Sequence, residues 1–262
     1  MGITKNHIVR ELLIVAEKEI FIYLQSYKYL MKVKYLVAFA ALILLFLNFS
    51  GIYLNISWIA HTAYISFFIG TVFYFIRKLG VDNGFYYLFI FSTLLSFIFR
   101  LFQGQWFCDE ISLVLLSLGY CALIVEAAKY LEIKNASISM QLFFIFLIGI
   151  NTLLIFTHVY ELKGYISSSL KFYLYFLYYI NLLVLGVVAF LYYLNSYSKK
   201  SMYFISLALT LMFADVLRDM DVFYLKDFSV EIAENSLRFA SAFFVVKFFT
   251  TEEKPLKLLN FI

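Results

Sequence analysis

The chain has 262 residues, of which 64% are hydrophobic and 15% charged, and it carries a net charge of +4. Soluble domains average roughly 45–50% apolar and about 25% charged residues, and a water-soluble globule cannot hide this much apolar surface, so a soluble enzyme is excluded. The small net charge and the placement of the basic residues in loops argue against a nucleic-acid binder. One Pro and two Cys fit neither a disordered chain nor a disulfide scaffold. The composition points to an all-α, polytopic membrane helix bundle.

In residues 7–31, Ile8, Leu12, Val15, Ile20, Tyr23, Leu24, Tyr27 and Leu30 recur at helical spacing, with Arg10, Glu17, Lys18, Gln25 and Lys28 between them. The pattern predicts an amphipathic helix on the cytoplasmic surface of the membrane within 1–33; the alternative is a helix packed on cytoplasmic loops. No small-residue cleavage site accompanies the first apolar stretch, so that stretch is expected to act as an uncleaved anchor.

A bilayer core of about 30 Å takes about 20 apolar residues per helix. Eight segments qualify: 35–54, 57–77, 84–102, 110–130, 140–159, 169–195, 202–224 and 230–249. They make one domain of about eight transmembrane helices over 34–250, followed by a short cytoplasmic tail, 251–262. Lys and Arg collect before span one, in every second loop (Arg77 and Lys78; Lys129 and Lys134; Lys199 and Lys200) and in the tail. The alternate loops hold few. By the positive-inside rule both termini lie in the cytoplasm, with a bacterial cytoplasmic membrane the expected location.

Several signatures are missing. There is no P-loop, no Gly-rich dinucleotide fingerprint and no zincin pair, so neither cofactor nor metal is expected. A single intramembrane His, such as His61 or His158, more often bonds a neighbouring helix than a metal. Cys108 and Cys121 would stand about 20 Å apart on one helix and cannot bridge.

Ionisable groups inside spans cost about 2.5–3.5 kcal/mol each at the centre and often mark function. Span seven holds Asp215, Arg218 and Asp219, whose spacings of three and four share one helical face. Span eight holds Glu234 and Arg238, an i,i+4 pair. Arg100 ends span three, and Asn151 and His158 share a face of span five. With odd spans running outward, these groups collect in the non-cytoplasmic half and are expected to line one polar pocket. The alternative is a structural network in which they neutralise one another. Glu126 and Lys129, at the inner boundary, read as a local ion pair.

The run Leu211-Met212-Phe213-Ala214-Asp215-Val216-Leu217 with Phe223, and Leu237-Arg238-Phe239-Ala240-Ser241-Ala242-Phe243-Phe244-Val245-Val246, resemble the last two spans of the lysoplasmalogenase-like YhhN membrane family. Asp215 and Phe223 keep that family's spacing. Ala214 replaces its usual Ser, and Arg100 stands where its third span carries an Asp. The resemblance implies an eight-span fold that binds membrane lipid and hydrolyses the vinyl ether of lysoplasmalogens. Such a reaction protonates carbon and adds water to an oxocarbenium-like centre, work suited to two carboxyl groups. It assigns Asp215 as acid/base, with Asp219 or Glu234 as its partner. It assigns the lipid phosphate to Arg100, Arg218 or Arg238, with Asn151 and His158 lining the substrate pocket. A non-catalytic membrane protein stays open beside it, either a lipid-binding relative or a subunit associating with its own kind or with a membrane complex.

Overall fold

The computed structural model describes residues 39–54, 56–76, 83–102, 105, 107–131, 138–166, 168–224 and 227–254. The amphipathic segment expected within 1–33 lies outside these residues. The chain divides into two compact units, Met1–Phe46 and Leu47–Ile262. Of the first, residues 39–46 are described, and they are helical. The second holds everything that follows.

The described residues form eight helices, and the class is all-α. They are α1 (Phe39–Tyr53), α2 (Ser57–Ile76), α3 (Gly84–Leu101), α4 (Cys108–Ala128), α5 (Ile138–Leu162), α6 (Ser169–Ser196), α7 (Lys199–Phe223) and α8 (Phe228–Thr250). Four of them, α3, α4, α6 and α7, are long and apolar enough to cross a membrane. The apolar stretches Phe39–Tyr53, Trp58–Val72 and Ile148–Leu162 are shorter, and α8 carries Glu231, Glu234, Arg238 and Lys247. Among the described residues, four helices are membrane-capable by length and composition, against the eight spans that sequence alone suggests.

Polar residues set the helix ends. The Asn83 side chain accepts from the Tyr86 amide at the start of α3, and Asp227 accepts from Ser229 at the start of α8. At α7 the Ser198 hydroxyl accepts from the Ser201 amide while the Ser201 hydroxyl accepts from the Ser198 amide, each at 3.0 Å. This reciprocal cap satisfies two orphan donors. α6 ends with Tyr197 in the left-handed region, φ 45°, which frees the chain to reverse into α7 within two residues.

Cross-contacts give the helix directions. Ser96 meets Ser112 near one end of α3 and α4, and Asn83 meets Glu126 near the other, so this pair is antiparallel. Asp109–Lys171, Ser117–Asn181 and Tyr130–Tyr192 hold a constant offset, so α4 and α6 run parallel. Asp215–Arg238 and Phe204–Phe248 make α7 and α8 antiparallel. Glycine permits two close approaches, against backbone at Gly51 and against a flexible side chain at Gly186. A Cβ on Gly51 would sit 2.7 Å from the Ala60 amide nitrogen, and one on Gly186 would sit 3.0 Å from the Met212 sulfur. Asn48, fully buried, donates to the Ala60 carbonyl at 2.7 Å and to Asn235 at 3.2 Å, tying α1 to α2 and α8.

This alternation puts the C-terminal ends of α3 and α7 beside the N-terminal ends of α4, α6 and α8. The charged residues of five helices therefore meet at one end of the bundle. The opposite end carries a separate network, in which Lys129 pairs with Glu126 at 2.7 Å, as the sequence suggests. Asn83 and Tyr130 donate to the same carboxylate, Lys200 reaches Tyr130 at 2.8 Å, and Tyr192 and Ser196 donate to Glu253 beyond α8.

Candidate functional site

Asp215 is fully buried at the centre of the charged end. Its Oδ2 accepts from the Tyr120 hydroxyl of α4 at 2.5 Å and from the Tyr178 hydroxyl of α6. Its Oδ1 accepts from Arg238 Nη2 of α8 at 3.0 Å and, at 3.4 Å, from Arg218 Nη1 one turn along α7. A carboxylate has about four acceptor sites, and here four donors occupy them. The two arginines supply the opposite charge that a buried anion requires.

Asp219 is also fully buried. Arg218 Nε donates to its Oδ1 at 2.8 Å, and the Tyr179 hydroxyl donates to its Oδ2. His158 Nε2 lies 3.9 Å from that carboxylate and bonds the Tyr179 hydroxyl at 2.9 Å. Glu234 holds Arg238 Nε at 2.7 Å, the i,i+4 pair the sequence suggests. One continuous chain of contacts thus runs His158, Tyr179, Asp219, Arg218, Asp215, Arg238, Glu234, across α5, α6, α7 and α8.

A polar recess of about 440 Å³ opens against one side of this chain. Arg100, Arg218, Glu234 and Arg238 line it, with the Asp109–Lys171 pair, closed at 2.6 Å, at another wall. Its arginines are not equivalent. Arg238 is engaged by two carboxylates. Arg218 is 8% exposed, and its Nη2 is buried without a hydrogen-bond partner. Arg100 donates to the Ser112 hydroxyl at 3.3 Å and stacks over Phe97, with no carboxylate partner among the described residues.

The expectation of a single pocket is therefore corrected. Arg100, Arg218, Glu234 and Arg238 do converge on one recess. Asp215 and Asp219 lie behind its arginines and do not line it, because each carboxylate turns toward tyrosine and guanidinium donors within the bundle. Asn151 and His158 line a different, apolar cavity between α5, α6 and α7. Asp219 stands between that cavity and the recess, taking a bond from Tyr179 on one side and from Arg218 on the other.

Sequence reasoning missed Tyr120, Tyr178 and Tyr179. A usable signal existed. Two carboxylates on one face of a span call for donors from the facing helices as well as from the arginines, and Tyr offers a hydroxyl on an apolar body that packs in a helix interface. Tyr120 in mid-span four and the Tyr178-Tyr179 pair in mid-span six are among the candidates. Compared with family models, curated proteins and solved structures, the chain matches none.

Proposed function

We propose that this is a multi-pass membrane protein that holds a lysolipid by its phosphate in the arginine-lined recess, with Asp215 and Asp219 as structural counter-ions. The observation that carries this reading is the Arg218 Nη2 donor, buried at the recess with no acceptor, beside Arg100, which has no carboxylate partner among the described residues. An unmet buried guanidinium donor is costly, and a phosphate oxygen is the acceptor that suits planar, multi-donor groups best. In the orientation that the basic loops suggest, with both termini in the cytoplasm, the recess opens beneath the outer leaflet of a bacterial cytoplasmic membrane, where a single-chain phospholipid can enter headgroup first.

The test is lysophosphatidylcholine binding to the purified protein in nanodiscs, comparing the parent chain with Arg100→Gln. Arg100 has no carboxylate partner among the described residues, so its replacement leaves the ion pairs of Asp215, Asp219 and Glu234 whole. Binding should weaken at least tenfold, about 1.4 kcal/mol. Unchanged binding in Arg100→Gln, with the fold intact, overturns the reading.

Hydrolysis of a vinyl ether, as the resemblance to the YhhN family implies, is the second reading, and one observation favours it. Glu234 lines the recess with one oxygen held by Arg238, and its Oε2 has no hydrogen-bond partner among the described residues. Glu234 in its protonated form would deliver the proton to the vinyl carbon, and then as carboxylate would activate the water that adds to the adjacent oxocarbenium carbon. The hemiacetal so formed breaks to a fatty aldehyde and a glycerophospho-base. Aldehyde release from a lysoplasmalogen, lost in Glu234→Gln, supports this step; its absence in the parent chain leaves binding alone.

A further inference from the structure

The cavity between α5, α6 and α7 has a volume of about 410 Å³, within the roughly 300–1,000 Å³ usual for ligand sites. Of its lining residues, Asn151, His158 and Tyr179 are polar and the rest are apolar, Val187 and Phe190 among them. On α6 the lining runs from Tyr179 to Phe190, roughly 16 Å at 1.5 Å per residue. That is about half of the ~30 Å hydrocarbon thickness of a bilayer, the depth of one leaflet's chains.

The end marked by His158 and Tyr179 has a defined hydrogen-bonding character. Tyr179 donates its proton to Asp219, so its oxygen accepts in the 2.9 Å contact with His158, and Nε2 carries the hydrogen. In the neutral ring Nδ1 is then an acceptor, and no described residue donates to it. The nearest formal charge at this end is the Asp219 carboxylate, 3.9 Å from Nε2. Arg218 already matches its charge at 2.8 Å, so the pair presents no net charge to the cavity and an uncharged donor is the matching head.

We propose that this cavity is a binding site for a single-chain amphiphile with a hydroxyl head, such as a long-chain alcohol, whose chain lies between α5 and α7 and whose hydroxyl meets His158. The site is separate from the phosphate-binding recess and does not depend on it.

The experiment is photolabelling of the full chain in nanodiscs with a diazirine-bearing hexadecanol, mapped by mass spectrometry and competed with unlabelled hexadecanol or palmitate. Labels should fall on the cavity residues of α5, α6 and α7 and be competed by hexadecanol at least tenfold better than by palmitate. They should drop at least tenfold in Val187→Trp, which fills the cavity, and in His158→Phe, which keeps the volume and removes the head contact. They should persist in Arg100→Gln, which separates this site from the recess. Labels spread evenly over exposed faces elsewhere, such as Phe91 of α3 or Leu118 of α4, would mark bulk lipid contact and overturn the proposal. Equal competition by palmitate, or full labelling in His158→Phe, would overturn it as well. If Val187→Trp does not fold, His158→Phe decides alone.

Discussion

Arg238 reaches from α8 to Asp215 on α7, Nη2 to Oδ1 at 3.0 Å, and both side chains are withdrawn from solvent. Each is the other's reason for being tolerated there. Replacing Asp215 with Asn keeps the volume but leaves two guanidinium groups short of a counter-charge. We expect Asp215→Asn to lower stability by about 3–5 kcal/mol, the usual cost of breaking one side of a buried pair, read from unfolding in detergent. A stable Asp215→Asn protein would show that the carboxylate is dispensable to the fold.

Tyr178 offers a cleaner probe of the same carboxylate. Tyr178→Phe preserves the ring packed beside Tyr120 and deletes one donor to Asp215. The expected loss is about 1.5–3 kcal/mol, typical of a hydrogen bond to a charged group. In a double-mutant cycle with Asp215→Asn the two losses should be strongly non-additive, because they share one interaction.

Glycine makes a steric prediction with an internal control. In Gly51→Ala the new methyl would meet the Ala60 backbone nitrogen at 2.7 Å, whereas around Gly70 nothing lies within 4 Å. Gly51→Ala should cost about 1–3 kcal/mol through overpacking. Gly70→Ala, on the same criterion of unfolding midpoint, should be neutral or gain up to about 1 kcal/mol from reduced backbone freedom.

The orientation read from Lys and Arg can be tested on two exposed positions at opposite ends of the bundle, Ser229 at the start of α8 and Lys199 at the start of α7. In a background with Cys108→Ser and Cys121→Ser, an impermeant maleimide added to intact cells should modify Ser229→Cys and spare Lys199→Cys. The reverse pattern would invert the topology and move the recess to the cytoplasmic side.

Much of this architecture is legible in the residues themselves. The apolar runs mark the helices to within a few positions, and Ser198 and Asp227 stand where caps are found. Spacing alone puts Glu234 beside Arg238 and Glu126 beside Lys129, since neighbours on one helix are fixed by its pitch. The same logic puts Asp215, Arg218 and Asp219 on one face, and they do share a network. What spacing could not supply was the identity of the facing helix. Tyr120 and Tyr178 meet Asp215 because α4 and α6 run parallel with a constant offset, a relationship no local pattern encodes. His158 looked like a member of the charged pocket because its depth is similar, yet it reaches that network only at its Tyr179–Asp219 edge and faces the apolar cavity between α5, α6 and α7.

Composition and helical periodicity by themselves determined that this is an all-α chain with membrane-capable helices and that charges on α7 and α8 must be satisfied inside the bundle. Only the tertiary structure decided which of those charges meet a recess and which are sealed behind it. The physical reason is that a helix fixes angles and rises along its own axis, whereas exposure depends on what stands opposite. Asp215 and Asp219 end as counter-ions because Arg218 and groups from α4, α6 and α8 close over them, whereas Glu234, though paired with Arg238, still lines the recess.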